Sequence, residues 1–420
     1  MHGRKRIPKG VVPNEKEILK KQAKMKAYTK LSTVLLSKRQ KGDKSLKTLE
    51  LTAKMVVVNP DFYTIWGYRR EILAHHYNNF TVTSSKSDDG SSETGTKNVT
   101  LESLKNMYLK ELSLTENALS KRNPKSYYAW HHRKWVLSNG GIENLEKELL
   151  LTEQFLEADE RNFHCWNYRR CVLSKLEHLS DIEKRKVEVE FTTKLIQRNF
   201  SNYSAWHERS KMLELSMTNI EKELKIVDTA IFTEPDDQTA WIYHRWLVSQ
   251  AVDLFGGSSS SSMNRNAQSN LLRFEYYQLF LDRLKSSQEI TNQSDSVSMK
   301  SEKKNARLGI EKDGKRVEDI SVEECMKSTA WCLNLVDTEI KMCKELLTVE
   351  PTSKWGKLHL SFLYDKKLVL LKNSNVVLDD IDSIIGKVSS ERVKLLQELA
   401  KTDSAHYKYY EYELSIATTA

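Results

Sequence analysis

The residues best placed to do chemistry in this chain sit where a turn runs into a helix. One phrase recurs at least five times: NPDFYTIWGYRREIL around Trp66, NPKSYYAWHHRKWVL around Trp130, RNFHCWNYRRCVL around Trp166, RNFSNYSAWHERSKML around Trp206 and EPDDQTAWIYHRWLV around Trp241. In each copy the residues between the turn and the tryptophan open a helix, whose backbone donors and dipole favour an anion. The tryptophan and the arginine that follows it carry a different message. Residues three apart share a helical face, so Trp66 lies with Arg69, Trp130 with Arg133, Trp166 with Arg169 and Trp206 with Arg209. In the fifth copy the third position after Trp241 is His244, with Arg245 next. Such a ring wedges between units while the arginine head seeks carbonyls or carboxylates, so these positions read as scaffold. The five cysteines are a third candidate class. Cys325, Cys332 and Cys343 fall seven and eleven residues apart on an expected helix, which matches no common zinc spacing. Cys165 and Cys171 stand inside helices beside core positions. All five read as core thiols, and no metal ligand set is expected.

The elements that position these residues follow from the repeat. Trp130, Trp166, Trp206 and Trp241 stand 36, 40 and 35 residues apart, the length of one helix–turn–helix unit. Stacking such units builds one continuous core. Apolar spacing at Met25, Tyr28, Leu31, Val34 and Leu35 predicts a helix over 15–41. Helices are then expected at 46–58, after 61 through Trp66, and at 102–122, 127–137, 142–158, 163–176, 182–198, 203–214, 220–233, 239–252 and 322–349. A fainter sixth copy, EPTSKWGKLHLSFLY, surrounds Trp355, and short helices at 389–399 and 407–414 are expected to cap the array. The leader 1–45 is basic and helical, and 46–420 reads as a single repeat domain. Polar, low-complexity insertions are expected at about 81–100, 256–270 and 286–318, with one helix at 274–284 between the last two. No immunoglobulin-like pattern or leucine-rich array is found.

Bulk composition agrees. Six prolines and fourteen glycines in 420 residues, with 29% charged residues, favour helices with solvated outer faces. Scattered cysteines, no apolar leader and no run of roughly 18–20 apolar residues point to a cytoplasmic protein without a membrane span. The net charge of +9 reads as solvated helix faces, and nothing resembles a nucleic-acid recognition motif.

The order Asn-Pro-x-x-x-x-x-Trp-x-x-Arg is not that of tetratricopeptide, HEAT or armadillo units. It resembles the repeat of protein prenyltransferase α subunits, over roughly residues 46 to 365. The start MHGR, NPKSYYAWHHRKW and DERNFHCWNYRR look like the version of the family that belongs to the Rab (type II) geranylgeranyltransferase. The resemblance implies an all-α fold, a right-handed α-α superhelix of helical hairpins. It also implies an obligate β subunit that holds zinc, geranylgeranyl diphosphate as donor, and Rab GTPases presented by an escort protein as acceptors. Residue by residue, Lys125, five before Trp130, fits the family's diphosphate-contacting lysine. His164, two before Trp166, fits a family histidine at the same opening, and Tyr127, three before Trp130, a tyrosine near the leaving group. His2 is expected to belong to a mobile leader rather than to reach a partner's zinc. Two other readings stay open: the α subunit shared by farnesyltransferase and the type I enzyme, and a helical-repeat scaffold without catalytic role.

Overall fold

A computed structural model describes residues 14–84, 101–140, 144–256, 322–373 and 381–419, and every regular element among them is a helix. In chain order these are α1 (Glu15–Gln40), α2 (Leu46–Val58), α3 (Tyr63–Ser84), α4 (Leu101–Lys121), α5 (Tyr127–Asn139), α6 (Leu145–Ala158), α7 (Phe163–Ser174) and α8 (Asp181–Arg198). They continue with α9 (Tyr203–Met212), α10 (Met217–Thr233), α11 (Gln238–Phe255), α12 (Val322–Val349), α13 (Lys354–Asn373), α14 (Ile381–Thr402) and α15 (Tyr407–Thr419). Two compact units divide the chain, residues 1–186 and 187–420. None of the described helices is long and apolar enough to cross a membrane.

The expected hairpins form. Two departures are instructive. α3 continues to Ser84, four residues into the stretch expected as a polar insertion. α14 begins eight residues before the short helix expected at 389, because its buried face already includes Val388 and contains Arg392. That arginine is buried through ion pairs to Asp365 (2.9 Å) and Glu413 (3.0 Å), so a charged letter interrupts an apolar stripe that is continuous in space. The helix expected at 274–284, the insertions after Gly256 and His2 lie outside the described residues.

Each hairpin is closed by the same hydrogen bond. The indole Nε1–H donates to the backbone carbonyl six residues earlier: Trp66 to Pro60, Trp130 to Pro124, Trp166 to Glu160, Trp206 to Phe200 and Trp241 to Pro235, all at 2.7–2.9 Å. The ring is thereby pinned across its own turn, buried and with its polar edge satisfied. The arginine three residues on reaches backwards and forwards. In the first unit Arg69 donates to the Leu49 carbonyl (2.6 Å) and Thr52 Oγ1 (2.7 Å) of its own hairpin, and pairs with Glu111 of α4. Arg133 does the same with Leu112 and Thr115, and forks onto both oxygens of Glu148 of α6. In the second unit Arg209 bonds the Val189 carbonyl and forks onto Glu223 of α10.

A third group completes each clamp from two residues past the next tryptophan. His132 meets Glu111 at 2.8 Å, while the Tyr168 and Tyr243 hydroxyls donate to Glu148 (2.7 Å) and Glu223 (2.8 Å). The same slot packs a tilted ring against the preceding tryptophan, as His132 on Trp66 and Tyr243 on Trp206. The Arg69–Glu111, Arg133–Glu148 and Arg209–Glu223 pairs are buried, where charge is tolerable because each guanidinium and carboxylate is paired and hydrogen-bonded.

That register also corrects the sixth copy. Counting six from Pro351 reaches Lys357, so Trp355 stands two residues short of the wedge position. It is half-buried, with the Lys354 ammonium 5.4 Å from its ring. His359 fills the slot two past the wedge and packs at a tilt against Trp241 at 5.0 Å.

Candidate anion-binding surface

Successive turns of the first unit are stitched together, and this sets the helix starts side by side. Ser126, the N-cap of α5, accepts from Ala129 N and donates through Oγ to the Pro60 carbonyl one turn back (3.0 Å). Asn162, the N-cap of α7, accepts from Cys165 N and donates through Nδ2 to the Pro124 carbonyl (2.9 Å). Asn123 adds a bond to Asp61 at 2.9 Å. Each cap therefore closes its own helix and anchors the neighbouring turn.

On this frame Lys125, Tyr127 and His164 come together, although 37 residues separate Tyr127 from His164. Their rings meet edge to face at 5.7 Å. The Lys125 ammonium lies 2.8 Å from the carboxylate of Asp159, the residue that ends α6, and both side chains are about a third exposed. Burial lowers the His164 pKa, and the charge of Lys125 lowers it further. At neutral pH the cluster thus offers one ammonium, one neutral imidazole and one phenol. Together with two helix N-termini, these are donors for an anion rather than for a metal.

The surface extends beyond the residues the sequence singled out. His131, exposed and four after Tyr127, stacks parallel to it at 5.8 Å; burial and the charges of Arg70 and Lys134 lower its pKa. Tyr63 and Tyr128 meet at 5.7 Å, and Phe163 covers His164 at 3.9 Å. Tyr63, Tyr127 and Phe163 are the first residues of α3, α5 and α7, and all three are more than half exposed. The signal for them lies in the register, since each stands three before its tryptophan. The signal for His131 is the four-residue step from Tyr127.

The buried cysteines among the described residues do not join this surface. Cys165, Cys332 and Cys343 are buried, and burial raises their thiol pKa values, that of Cys332 to about 12, so they are protonated core thiols.

Comparison with known proteins fixes the family. The model of the protein prenyltransferase alpha subunit repeat matches residues 46–76, 108–140, 145–176, 186–216 and 220–251, the five hairpins that carry the tryptophans. The geranylgeranyl transferase type-2 subunit alpha of Schizosaccharomyces pombe is 34% identical over 262 residues, covering 59% of this chain and 71% of that protein. The chain belongs to the protein prenyltransferase alpha subunit family. Similarity to other members is of the same kind. The type-2 alpha subunit of Candida albicans is 29% identical over 368 residues, covering 78% of this chain and 93% of that protein. The corresponding subunit of Rattus norvegicus is 39% identical over 264 residues, which is 60% of this prenyltransferase-type chain but only 42% of the rat protein. The chain thus spans less than half the length of that relative. Among solved structures, a chain of Candida albicans protein geranylgeranyltransferase-I complexed with GGPP matches with a TM-score of 0.51 at 16% identity. It covers 93% of this chain and 91% of that one, which shows that the α-α hairpin fold is shared.

Proposed function

We propose that this chain is the α subunit of a type-2 protein geranylgeranyltransferase, working with a β subunit in the cytoplasm on Rab GTPases brought by an escort protein. The observation that carries the reading is the convergence of Lys125, Tyr127 and His164 at two adjacent helix starts. Relatives of type-2 name, one of them covered over 71% of its length, favour this reading over the shared α subunit of the farnesyl and type I enzymes.

In the transfer, a cysteine thiolate of the acceptor protein attacks the first carbon of geranylgeranyl diphosphate. A C–S bond forms, the C–O bond breaks, and diphosphate leaves with the electron pair. A zinc ion on the β subunit would lower the thiol pKa and so favour the thiolate at neutral pH, and no residue of this chain is proposed to hold it. This chain's part is to meet the leaving group. Lys125 turns from Asp159 toward the departing oxygens, placing a full positive charge where negative charge grows. Tyr127 and the neutral His164 add an O–H and an N–H donor, and the helix starts add their dipoles.

The test is Lys125→Ala, with Lys125→Glu as the stronger perturbation. The heterodimer should still form by gel filtration, because Lys125 makes no buried contact. Turnover of geranylgeranyl diphosphate should fall about 10²–10³-fold, as for loss of one preorganised donor. Unchanged turnover in an intact heterodimer would overturn the catalytic reading and favour a scaffold.

A further inference from the structure

The fifth link of the array breaks the rule of the others. Where Arg69, Arg133 and Arg209 each bring a permanent cation to one buried carboxylate, the corresponding position on α11 is His244. Its partner by register is Glu339 of α12, with Nε2 to Oε2 at 2.8 Å. Asp228 of α10 stands opposite, with Oδ1 3.8 Å from the same nitrogen. On the other side of the ring, Nδ1 lies 2.7 Å from Nε2 of His359 on α13, which fills the slot held by tyrosine in the neighbouring links. His244 and His359 are fully buried, Glu339 nearly so, while the Asp228 side chain keeps 27% of its surface in contact with solvent.

Two features of this cluster point to a ligand. The first is the donor set. One nitrogen of His244, one oxygen of Asp228 and one of Glu339 lie within 4.8 Å of one another, on three different helices. The set brings two carboxylates to one imidazole, against one carboxylate to one guanidinium elsewhere. Asp228 Oδ1 is buried as an atom and accepts no hydrogen bond.

The second feature is the direction of the histidine chain. His359 Nε2 lies 2.7 Å from His244 Nδ1, within hydrogen-bond distance, and both rings are fully buried beside Arg245. The Arg245 guanidinium itself lies over the Phe362 ring at 4.4 Å. One proton lies between the two rings; when His244 Nδ1 carries it and donates to His359, the Nε2 lone pair of His244 faces the Glu339 and Asp228 oxygens. In that tautomer a cation between the lone pair and the carboxylates satisfies all three groups. A second side chain that fixes the ligand imidazole through its other nitrogen is the usual support of a bound metal.

We propose that Asp228, His244 and Glu339 form a structural site for a divalent transition metal, zinc by ligand type, with His359 setting the tautomer of His244. The ion takes the place of the arginine head and ties α10, α11 and α12 together. Two carboxylates and one imidazole neutralise and orient it, and the partly exposed edge of Asp228 leaves an entry path and a fourth position for water. This site uses none of the anion-binding residues and supports the fold whether or not the proposed transfer activity holds.

The experiment compares the purified full chain with Asp228→Asn and His244→Arg. The first removes a ligand but keeps the His244–Glu339 contact, and the second restores the arginine of the other links. Each protein is equilibrated with zinc chloride, dialysed against metal-free buffer and its zinc counted by plasma mass spectrometry. The expected result is one zinc per chain more in the unsubstituted protein than in either variant. Cobalt exchange should give a visible absorption band that Asp228→Asn lacks. Should His244→Arg fail to fold, Asp228→Asn carries the count alone. Equal zinc content in the unsubstituted protein and Asp228→Asn, with no cobalt band, would overturn the site and leave a His–Glu pair sharing a proton.

Discussion

Lys125 and His164 stand on different hairpins, yet the charge of one holds down the pKa of the other. That coupling makes a prediction independent of turnover. Replacing Lys125 by Met removes the positive neighbour and leaves burial as the main lowering cause, so the His164 pKa should rise toward its ordinary value near 6.5. An NMR titration of the imidazole checks it, and an unmoved midpoint would separate the two residues. Such a result would also mean that Asp159 already neutralises the ammonium. At this scale the sequence was readable wherever a residue could be counted from its tryptophan: Lys125, Tyr127 and His164, each placed by such a count, lie close together at adjacent helix starts. Arg70 was missed because its contribution comes from the neighbouring hairpin, whereas His131 carries a local signal in its four-residue step from Tyr127. Arg70 lowers the pKa of His131 across a separation in sequence that no local spacing encodes.

Between elements, the tryptophan–arginine phrase turns out to be half of a clamp whose other half is a buried glutamate on the next hairpin. The arginine's need for a carboxylate was legible, but its identity was not. α6 alone carries Glu146, Glu148, Glu153 and Glu157, and only packing shows that Glu148 is the one beneath Arg133. The threonines Thr52 and Thr115 were hidden for the same reason, although each precedes its tryptophan by 14 or 15 residues. The clamp predicts strong non-additivity. Arg133→Met alone strands the Glu148 charge in the core and should cost about 3–5 kcal/mol, read as a large fall in thermal midpoint at fixed protein concentration. Adding Glu148→Leu removes the stranded charge and should recover most of that loss. The remainder, about 1 kcal/mol, belongs to the Tyr168 hydroxyl that loses its acceptor. A double variant no better than the single one would show that the clamp holds the hairpins through shape rather than charge balance.

Repeated through the molecule, these clamps give the chain a stability that depends on pH in one direction. Burial opposes ionisation of Glu111, but the Arg69 guanidinium and the His132 hydrogen bond prevail and hold its carboxyl down at about 2. A carboxyl depressed in the folded state contributes stability above its unfolded value near 4.5 and loses it as pH falls toward 2. His132 and His164 push the same way for the opposite reason. Burial lowers both, so the unfolded chain takes up protons first and folding weakens as pH drops through about 6.5. The thermal midpoint should therefore fall gently from pH 7 to 5 and steeply below 4.5. The net charge of +9 at neutral pH grows over the same range and adds self-repulsion, so the slope alone does not identify the clamps. The paired substitution Arg69→Met with Glu111→Leu does. It leaves the protein's net charge at pH 7 unchanged and removes one buried carboxyl held down at about 2, so the steep segment below 4.5 should become shallower while the gentle one persists. An acid limb of unchanged slope in that variant would assign the loss to global repulsion, and the buried clamps would then be determinants of register rather than of acid stability.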